Sequence, residues 1–449
     1  DSRLEVVQMS VFVSSDDNAN ELRDIEGASV GYLESDNAAD QVMSVIDGTV
    51  ATEVQYKAYN NILFMADALL NGTERAIIMN SAYVDIISDQ DGYEDFSDRI
   101  RELYTYSAEI QVEVRGDVTD VDSTEEKYFL SSDEDTFVIY ISGIDMWGAV
   151  NARSRSDVNI IATVNTDTHE ILLVSTPRDY FVPLSISGGA PDKLTHAGIY
   201  GIDVCMDTLG MLYDIDINYY FRINFGGFVK VIDALGGITV NSDYDFDSKN
   251  ILGYHFNKGE NYVNGEQALI FARERYAFQE GDRQRGKNQM EVIRGVVKKA
   301  LSPEILTSYS SILSSLDGCF GTNITYEEIA QILQQQLTNG GDWTIVSYSV
   351  NGTGATEKPY SMSQKAYVMV PDYNTVDKAK SLMEKVRNGE VVTQEEADAP
   401  VSGSTSTDST STEAVTEPGT VASETQAATD TTAADGTTTE GTAGTTTQQ

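Results

Sequence analysis

The chain has 449 residues, enough for two or three domains with separate cores, and a formal net charge of −41 at pH 7. This charge repels polyanions and excludes nucleic acid and anionic membrane surfaces as general partners, so an anionic ligand needs a local cluster of positive charge. No stretch of the sequence approaches the roughly 20 consecutive apolar residues that span a bilayer. Because the chain begins at Asp1 rather than Met, we expect an upstream signal anchor in the full protein.

The first region, 1–130, alternates strand-like and helical patterns and therefore predicts a small α/β accessory domain. Strands are predicted at 5–13, 28–33 and 76–79, and helices at 37–46 and 56–70. The pattern loosely resembles half of a periplasmic solute-binding fold. An acidic stretch at 117–135 predicts a linker, and no chemical motif precedes it. We therefore expect this region to fold separately and to be dispensable for the chemistry.

The second region, 131–388, predicts a three-layer αβα sandwich. Continuous apolar runs, typical of strands buried on both faces, lie at 136–142, 159–165, 170–175 and 219–225. A further strand is predicted at 343–348, and helices at 194–213, 228–235, 326–337 and 376–387. From 389 to 449 the chain has no Lys or Arg and is rich in Ser, Thr, Ala and Gly, a composition that predicts a disordered tail.

Two acidic residues adjoin predicted strands: Asp145 follows one strand, and Asp157 precedes the next. If these strands are antiparallel neighbours, the two ends meet and the carboxylates converge. Such a pair suits a hard cation such as Mg²⁺, which keeps several waters and phosphate oxygens as ligands. Either aspartate alone is more often a solvated loop residue. Arg155 lies two residues before Asp157, on the same side of an extended segment.

Two shorter segments place charged residues at a strand end and at a helix start. In TPRD, Pro177 ends the preceding strand and puts Arg178 and Asp179 in a loop at the edge of the sheet. In DKLTHAG, Lys193 begins a predicted helix, and a helix N-terminus beside a lysine favours anions. Each signal is weak alone, because a loop arginine is more often a surface residue than a site residue.

The strongest signal is the segment 273–299, which has eight Lys or Arg against four Asp or Glu in this acidic chain. Arg273 and Arg275 are two residues apart, so in an extended segment both point the same way. A helical stripe of polar residues at i, i+3 and i+7 follows, formed by Asp282, Arg285 and Gln289. A solvated basic face is the usual interpretation. Paired arginines beside this stripe favour a phosphate clamp instead, because guanidinium groups bind phosphate bidentately.

Together these segments resemble the LytR-CpsA-Psr family across roughly 136–302. The matching pieces are SRSD, TPRD, DKLTHAG, YYFRINFGGFVKVIDALGGITV, YVNGEQALIFARER and GDRQRGKNQ. Thr195 and Gly198 stand where the family more often has Asn and Tyr, which leaves the charged set intact. The resemblance implies an enzyme at the extracellular face of the bacterial membrane. Its reaction would attach a polyprenyl-pyrophosphate-linked glycopolymer, such as teichoic acid or capsule, to peptidoglycan through a phosphodiester and release polyprenyl phosphate.

The resemblance also implies roles for individual residues. The catalytic set is Arg155, Arg178, Arg273, Arg275, Asp282 and Arg285; the pyrophosphate head group would be bound by Lys193, Gln289 and Asp179. Mg²⁺ or Mn²⁺ is expected at Asp145 and Asp157, while the general base stays open between Asp179 and Asp282. The expected partners are the lipid-linked glycopolymer, the peptidoglycan acceptor and, through the anchor, the cytoplasmic membrane. Nucleic acid is not expected.

Two other function classes remain open at this point. One is a hydrolase of the same polyprenyl pyrophosphates, which would release phosphate rather than attach a polymer. The other is a non-catalytic lipid-binding or glycan-binding module, with the N-terminal region as a sensor. Supplying a peptidoglycan acceptor and looking for covalent attachment separates the transferase from the hydrolase. Loss of function on replacing Arg178 while lipid binding persists would exclude the binding module.

The chain has two cysteines, Cys205 and Cys319. An extracellular setting permits a disulfide between them, and we expect one. The alternative is two unrelated buried thiols.

Overall fold

The computed structural model of the chain describes residues 2–36, 38–90, 92–113, 136–144, 153–306 and 340–401. Between 307 and 339 it also describes 312, 315–316, 318–325, 328–329, 331–333 and 336. Residues up to Ser406 belong to one unit, and the second unit, Thr407–Gln449, lies outside the described residues. The predicted linker at 117–135 and the predicted metal ligand Asp145 also lie outside them.

The N-terminal region is built on one five-stranded sheet. Its strands are β1 (Ser2–Ser14), β2 (Ser29–Leu33), β3 (Gln55–Tyr59), β4 (Ala76–Asn80) and β5 (Ile100–Glu113), in the spatial order β3-β2-β4-β1-β5. Its helices are α1 (Ala39–Thr49), α2 (Ile62–Leu70), α3 (Tyr83–Ser88) and α4 (Phe96–Arg99), with a 3₁₀ turn at Leu22–Ile25. The region therefore has the α/β character that its sequence predicts.

Most predicted elements of this region are confirmed, with shifts of a few residues at their ends: the strands at 5–13, 28–33 and 76–79 and the helix at 37–46. The helix predicted at 56–70 is wrong in its first part, because Gln55–Tyr59 is a strand. The Asn61 side chain accepts hydrogen bonds from the backbone N–H groups of Leu63 and Phe64. This N-cap starts the helix at residue 62, so the preceding residues are not helical.

The second region continues with fourteen strands among the described residues. They are β6 (Thr136–Ile144), β7 (Val158–Asn165), β8 (Glu170–Thr176), β9 (Phe181–Pro183), β10 (Pro191–Lys193), β11 (Tyr219–Asn224), β12 (Ile238–Ser242), β13 (Phe246–Asp247), β14 (His255–Phe256), β15 (Gly259–Val263), β16 (Phe320–Thr322), β17 (Thr344–Ser349), β18 (Gly352–Glu357) and β19 (Ala366–Pro371). Six of them form the main sheet, in the order β16-β11-β6-β7-β8-β17.

The helices that the structure describes over their full length lie between these strands or after the last of them. They are α5 (Ala197–Tyr200), α6 (Ile202–Tyr213), α7 (Phe225–Ala234), α8 (Gly265–Arg273), α9 (Asp282–Ala300), α10 (Pro303–Leu306), α11 (Tyr373–Arg387) and α12 (Gln394–Asp398). The helix predicted at 194–213 is divided into a 3₁₀ turn, α5 and α6 by Gly201, whose φ of 123° breaks the helix. The helix predicted at 326–337 lies partly outside the described residues.

Helices cover both faces of the main sheet. On one face, Leu209 of α6 and Leu382 of α11 share a buried cluster with Ile161 of β7. On the other face, Met290 of α9 shares a cluster with Ile160 of the same strand. These three layers confirm the predicted αβα sandwich. Among the described residues, no helix combines the length and the apolar character that crossing a bilayer requires.

Strand directions bring several strand ends to one edge of the main sheet. β6 and β8 each run antiparallel to β7, which lies between them. β11 is parallel to β6, and β17 is parallel to β8. The carboxyl ends of β6, β8, β11 and β17 and the start of β7 therefore meet at one edge, which we call the C-terminal edge. In open α/β sheets, ligands bind beyond the carboxyl ends of the strands.

The ordered chain extends past the boundary predicted at 389. Val392 and Ala397 are buried in the same cluster as the main sheet, and the Val392 N–H donates to Glu170 Oε1 at 2.7 Å. The Thr393 side chain caps α12. The prediction of disorder from 389 is wrong up to 401. It was based on the average composition of 389–449, which does not reveal single buried residues such as Val392 and Ala397 or the Thr393 cap. Residues 402–449 lie outside the described residues.

The predicted disulfide is also wrong, because Cys205 and Cys319 are both buried and are not bonded to each other. Cys205 lies on α6 in the cluster that contains Tyr140 of β6, and burial raises the pKa of its thiol to about 11. Cys319 directly precedes β16, the edge strand of the main sheet. The two thiols occupy different packing environments, and each is satisfied there as a small buried side chain.

We expect both thiols to be alkylated when the unreduced protein is denatured in iodoacetamide. Reductant should leave the melting temperature unchanged, since no cross-link restrains the unfolded chain. Intact-mass measurement checks this result. A protein that takes up no label until it is reduced would restore the disulfide.

Candidate functional site

Asp157 lies at the C-terminal edge, one residue before β7. Gly143 of β6 pairs with Val158 of β7, and the Asp157 N–H donates to the Gly143 carbonyl at 2.9 Å. The two strands are thus the antiparallel neighbours that the sequence argument required. Asp145, one residue past the end of β6, lies outside the described residues, so the structure describes one member of the predicted carboxylate pair.

The carboxylate of Asp157 is nearly buried among donors and cations. Its Oδ1 accepts from the Thr195 hydroxyl at 3.0 Å and lies 3.4 Å from Arg178 Nη1. Burial alone would raise the pKa of Asp157, but Arg178, Arg155, the Thr195 hydrogen bond and Arg285 together outweigh it and hold the pKa below its ordinary value. Asp157 is therefore an ionised carboxylate at neutral pH.

Arg178 follows Pro177 in the loop after β8, as predicted. It interacts with the carboxylates of Asp157, Asp179 and Asp282. Its Nε lies 3.6 Å from Asp179 Oδ2, and Lys193 Nζ lies 3.6 Å from Asp179 Oδ1. Burial opposes the charge on Arg178, but Asp157, Asp179 and Asp282 outweigh this effect and raise its pKa. Arg178 is held as a cation between carboxylates from three segments.

Helix α9 brings further charges to the same place. Asp282 begins the helix and pairs with Arg285 one turn later. Burial lowers the pKa of Arg285; Asp282 opposes that shift, and the nearby charges of Arg178 and Arg275 add to it. Arg275 donates to the Tyr276 hydroxyl at 2.6 Å. A buried guanidinium crowded by other cations gains from an anion, because the anion relieves their mutual repulsion.

Arg273 is placed differently from the prediction. It is the last residue of α8 rather than part of an extended segment, so its spacing from Arg275 does not aim both side chains the same way. Its guanidinium lies over the Phe225 ring, 4.1 Å from the centroid. Gln289 donates to the Ala272 carbonyl at 3.4 Å, which ties α9 to the end of α8. The roles predicted for Arg273 and Gln289 stay predictions.

Arg155 is positioned by a close backbone approach. A Cβ at Gly198 would collide with the backbone of Ser154 and Ser156, so the absence of a side chain in α5 lets this segment lie against the helix. Arg155 Nη2 lies 2.8 Å from Asp85 Oδ2, and Nη1 lies 3.5 Å from Asp89 Oδ2. Both acids come from the N-terminal region, which therefore contacts the site directly.

Five cations and three carboxylates converge at the C-terminal edge, linked by direct contacts or by their electrostatic effect on one another. We call this group the cationic site: Arg155, Arg178, Lys193, Arg275 and Arg285, with Asp157, Asp179 and Asp282. Charge-assisted, bidentate hydrogen bonds to phosphate oxygens are the chemistry that arginines offer in such an arrangement. Within this group the cations outnumber the carboxylates, which fits a ligand with several negative charges; Asp85 and Asp89 contact the group from outside it.

Several residues around the cationic site were not predicted. Thr195 holds Asp157, and Asp85 and Asp89 reach the site from α3 and its C-cap. Tyr367 of β19 is half-exposed, and burial together with the charges of Asp179 and Asp282 raises its pKa. Thr195 sits in the DKLTHAG motif and could have been found there. The others depend on tertiary contacts that carry no local signal.

A buried polar network supports Lys193. Asp192 is fully buried, and its Oδ1 lies 2.7 Å from His196 Nδ1. Its Oδ2 accepts from the Ser361 N–H at 3.0 Å. This carboxylate anchors the 3₁₀ turn after β10 to the loop between β18 and β19, so the backbone that carries Lys193 is fixed. The four-residue spacing of Asp192 and His196 is the sequence feature from which this contact could have been predicted.

The depressed pKa of Asp157 predicts how stability responds to acid. A carboxylate whose folded pKa is lowered stabilises the protein above its unfolded pKa and loses that contribution as the pH falls through the folded value. We expect Asp157→Asn to lower the unfolding free energy at pH 7. The gap to the parent should close as the pH drops below the ordinary aspartate value of 3.8. Urea unfolding from pH 7 to pH 2.5 measures both; a gap that widens in acid contradicts the assignment.

Comparison with known proteins places this arrangement in a family. Residues 100–385 match the LytR_cpsA_psr family. The chain is 34% identical over 192 residues to a polyisoprenyl-teichoic acid–peptidoglycan teichoic acid transferase TagU of Bacillus cereus, covering 42% of this chain and 61% of the relative. It is 35% identical over 204 residues to the protein of the same name from Enterococcus faecalis, covering 45% and 66%. The chain thus spans less than two thirds of either curated relative.

Solved structures also match part of this chain. Bacillus subtilis TagV is 26% identical with a TM-score of 0.49, covering 58% of this chain and 100% of TagV. Bacillus subtilis TagU is 27% identical with a TM-score of 0.44, covering 58% and 100%. The family match covers more than half of the chain and includes every described residue of the cationic site. This protein belongs to the LytR-CpsA-Psr family.

Proposed function

We propose that the protein transfers a glycopolymer from a polyprenyl-pyrophosphate carrier to peptidoglycan. A peptidoglycan hydroxyl attacks the phosphorus that bears the glycopolymer, and the bond from that phosphorus to the oxygen bridging the two phosphates breaks. The products are a phosphodiester in the wall and polyprenyl phosphate, which keeps the bridging oxygen. The hydroxyl proton passes to a base on the protein.

The observation that carries this proposal is the cationic site at the C-terminal edge of a LytR-CpsA-Psr domain. Phosphoryl transfer is catalysed mainly by positioning and by electrostatic stabilisation of the phosphate oxygens. Five cations supply that stabilisation in a chain whose overall charge repels anions. The curated relatives carry names that describe polyisoprenyl-linked teichoic acid and peptidoglycan, which agrees with this substrate class.

The carboxylates of the site offer two candidate bases. Asp179 is in contact with both Arg178 and Lys193, so it is held beside the cations that would bind the phosphates. Asp282 pairs with Arg285 at the start of α9. Either could accept the hydroxyl proton if the acceptor sugar lies against it. Replacing each by Asn separately, and comparing the pH profiles of kcat/KM, identifies which one titrates in the reaction.

A divalent cation, Mg²⁺ or Mn²⁺, is part of the proposal. Among the described residues, the Thr195 hydroxyl and Arg178 both contact Asp157 at Oδ1. No group of three or more acidic, His or Cys side chains forms a metal cage among the residues that the structure describes. This donor set fits Mg²⁺, which binds through one or two carboxylates, here Asp157 and the undescribed Asp145, and takes its other ligands from phosphate and water. The cation would neutralise charge on the pyrophosphate.

The proposed substrates place the protein at the extracellular face of the cytoplasmic membrane. The lipid carrier is held in that membrane, and the peptidoglycan acceptor lies outside it. We propose that a signal anchor tethers the chain there, close to the carrier.

Reconstitution with a defined substrate tests the function. The protein is incubated with radiolabelled polyprenyl-pyrophosphate-linked polymer, Mg²⁺ and nascent peptidoglycan, and label in the insoluble wall fraction is counted. We expect covalent attachment that depends on the acceptor. Equal phosphate release without acceptor would support the hydrolase alternative, and binding without turnover would support a non-catalytic module.

A further inference from the structure

The N-terminal region is fastened to the catalytic domain beside the cationic site. Ile86 of α3 shares a buried cluster with Ile199 of α5 and Met362 from the loop between β18 and β19. Gln90, just after α3, is buried and accepts from the Ser363 N–H at 3.2 Å. This apolar and polar contact fixes the helix that carries Asp85 beside the cationic site.

The fixed helix presents two carboxylates to the cations. Asp85 and Asp89 lie four residues apart, on the same side of α3 and its C-cap. Together they contact both terminal nitrogens of Arg155, at 2.8 and 3.5 Å, and Asp89 lies 4.0 Å from Lys193 Nζ. The Arg155 fork, which could bind a phosphate bidentately, is thus occupied by acids of the protein.

We propose that Asp85 and Asp89 set the anion affinity of the cationic site by competing with the substrate's phosphate groups for Arg155 and Lys193. This inference rests on the proposed function, in which the site binds a pyrophosphate. The two carboxylates have the charge of such a ligand and hold the same nitrogens. A phosphate that engages the fork must first displace them, so the N-terminal region restrains anion binding at the cationic site.

The geometry favours competition over simple positioning of Arg155. The side chains of Asp85 and Asp89 are 59% and 42% exposed, so water can solvate them once they are displaced. The side chains of Arg155 and Lys193 are only 20% and 8% exposed, so water solvates them poorly. A bound anion therefore stabilises these two cations more than it would an exposed pair. Neither aspartate lies within the family match at 100–385, so the device belongs to this chain's N-terminal region.

Binding of inorganic pyrophosphate to the full chain tests the inference, by calorimetry at fixed ionic strength with Mg²⁺ present. The test protein is Asp85→Asn/Asp89→Asn, which keeps the size of both side chains and removes their charge. The matched control is Asp95→Asn/Asp98→Asn, which removes two charges from the same region at α4, where Asp95 pairs with Arg99. Thermal melts confirm that each variant is folded.

We expect the test variant to bind pyrophosphate about three- to tenfold more tightly than the parent, since each of its three partly exposed ion pairs is weak. The control should bind as the parent does. Adding Arg155→Ala to the test variant should remove the gain, because the freed fork is its source.

Equal binding by the test variant and the parent overturns the competition, and weaker binding shows that the carboxylates position Arg155 instead. In both cases the proposed function stands if the parent binds pyrophosphate and Arg178→Ala does not. Should the parent itself fail to bind, both the inference and the phosphate assignment behind the proposed function are overturned.

Discussion

Replacing Arg178 by Ala should reduce turnover at least a hundredfold, equivalent to about 2.7 kcal/mol of lost transition-state stabilisation. Arg178 is the cation that contacts both Asp157 and Asp179, and its charge is supported by Asp282 as well. It is therefore central in the cationic site. Its loss removes a bidentate donor and leaves neighbouring carboxylates with less compensation, which also costs affinity for an anion.

Arg178→Lys separates charge from geometry. Lysine keeps the charge and the carboxylates' compensation but cannot make the planar fork, so we expect only partial recovery of turnover. Arg283→Ala is the matched control: Arg283 lies two residues before Arg285 on α9 and is exposed. Wall attachment of labelled polymer is measured for all three folded variants. Full activity of Arg178→Ala would remove Arg178 from the catalytic set.

Much of the site could be predicted because its residues lie next to strand ends. The runs at 136–142, 159–165 and 170–175 are apolar enough to be recognised as buried strands, and Asp157 and Arg178 adjoin two of them. Once β6, β7 and β8 pair, strand direction alone brings these residues to one edge. The stripe of Asp282 and Arg285 was equally clear, since helical spacing is a local property.

The predictions that were wrong used local sequence patterns to infer contacts that depend on the tertiary structure. Arg273 and Arg275 have strand spacing, yet α8 continues to Arg273 because a capping box at Asn264 and Gln267 and a buried apolar face stabilise the helix. The disulfide was inferred from the number of cysteines. The number of cysteines does not show whether two of them lie close together. Cys205 is buried in the core of the sandwich, where α6 packs on the main sheet.

Contacts between regions carry the least signal in a sequence. Residues 1–130 were expected to be dispensable for the chemistry because no motif lies there, and that expectation stays a prediction. The ion pairs from Asp85 and Asp89 to Arg155 show that the region nevertheless reaches the cationic site. Two exposed acids in a chain of net charge −41 look unremarkable until the fold places them against cations. In so acidic a chain, a local cluster of basic residues points to a site, whereas a pair of acidic residues does not.

Asp157→Asn should also reduce turnover at least a hundredfold, for a different reason from the arginine. The parent should lose turnover in EDTA and regain it with Mg²⁺, because Asp157 is the described carboxylate of the proposed metal site. Asn keeps the hydrogen-bonding shape toward Thr195 and Arg178 but lacks the charge that a divalent cation requires. The residual activity of the variant should therefore respond weakly to added Mg²⁺.

Two further variants grade this effect. Thr195→Val removes one hydrogen bond to Asp157 and keeps the carboxylate, so we expect a loss of several-fold, in line with about 1 kcal/mol for one hydrogen bond. Asp216→Asn removes an exposed aspartate that lies between α6 and β11, and its Mg²⁺ titration should match the parent's. Turnover is measured across Mg²⁺ concentrations for each protein. If the parent stays fully active in EDTA, no metal acts at Asp157, and its role is to orient Arg178 alone.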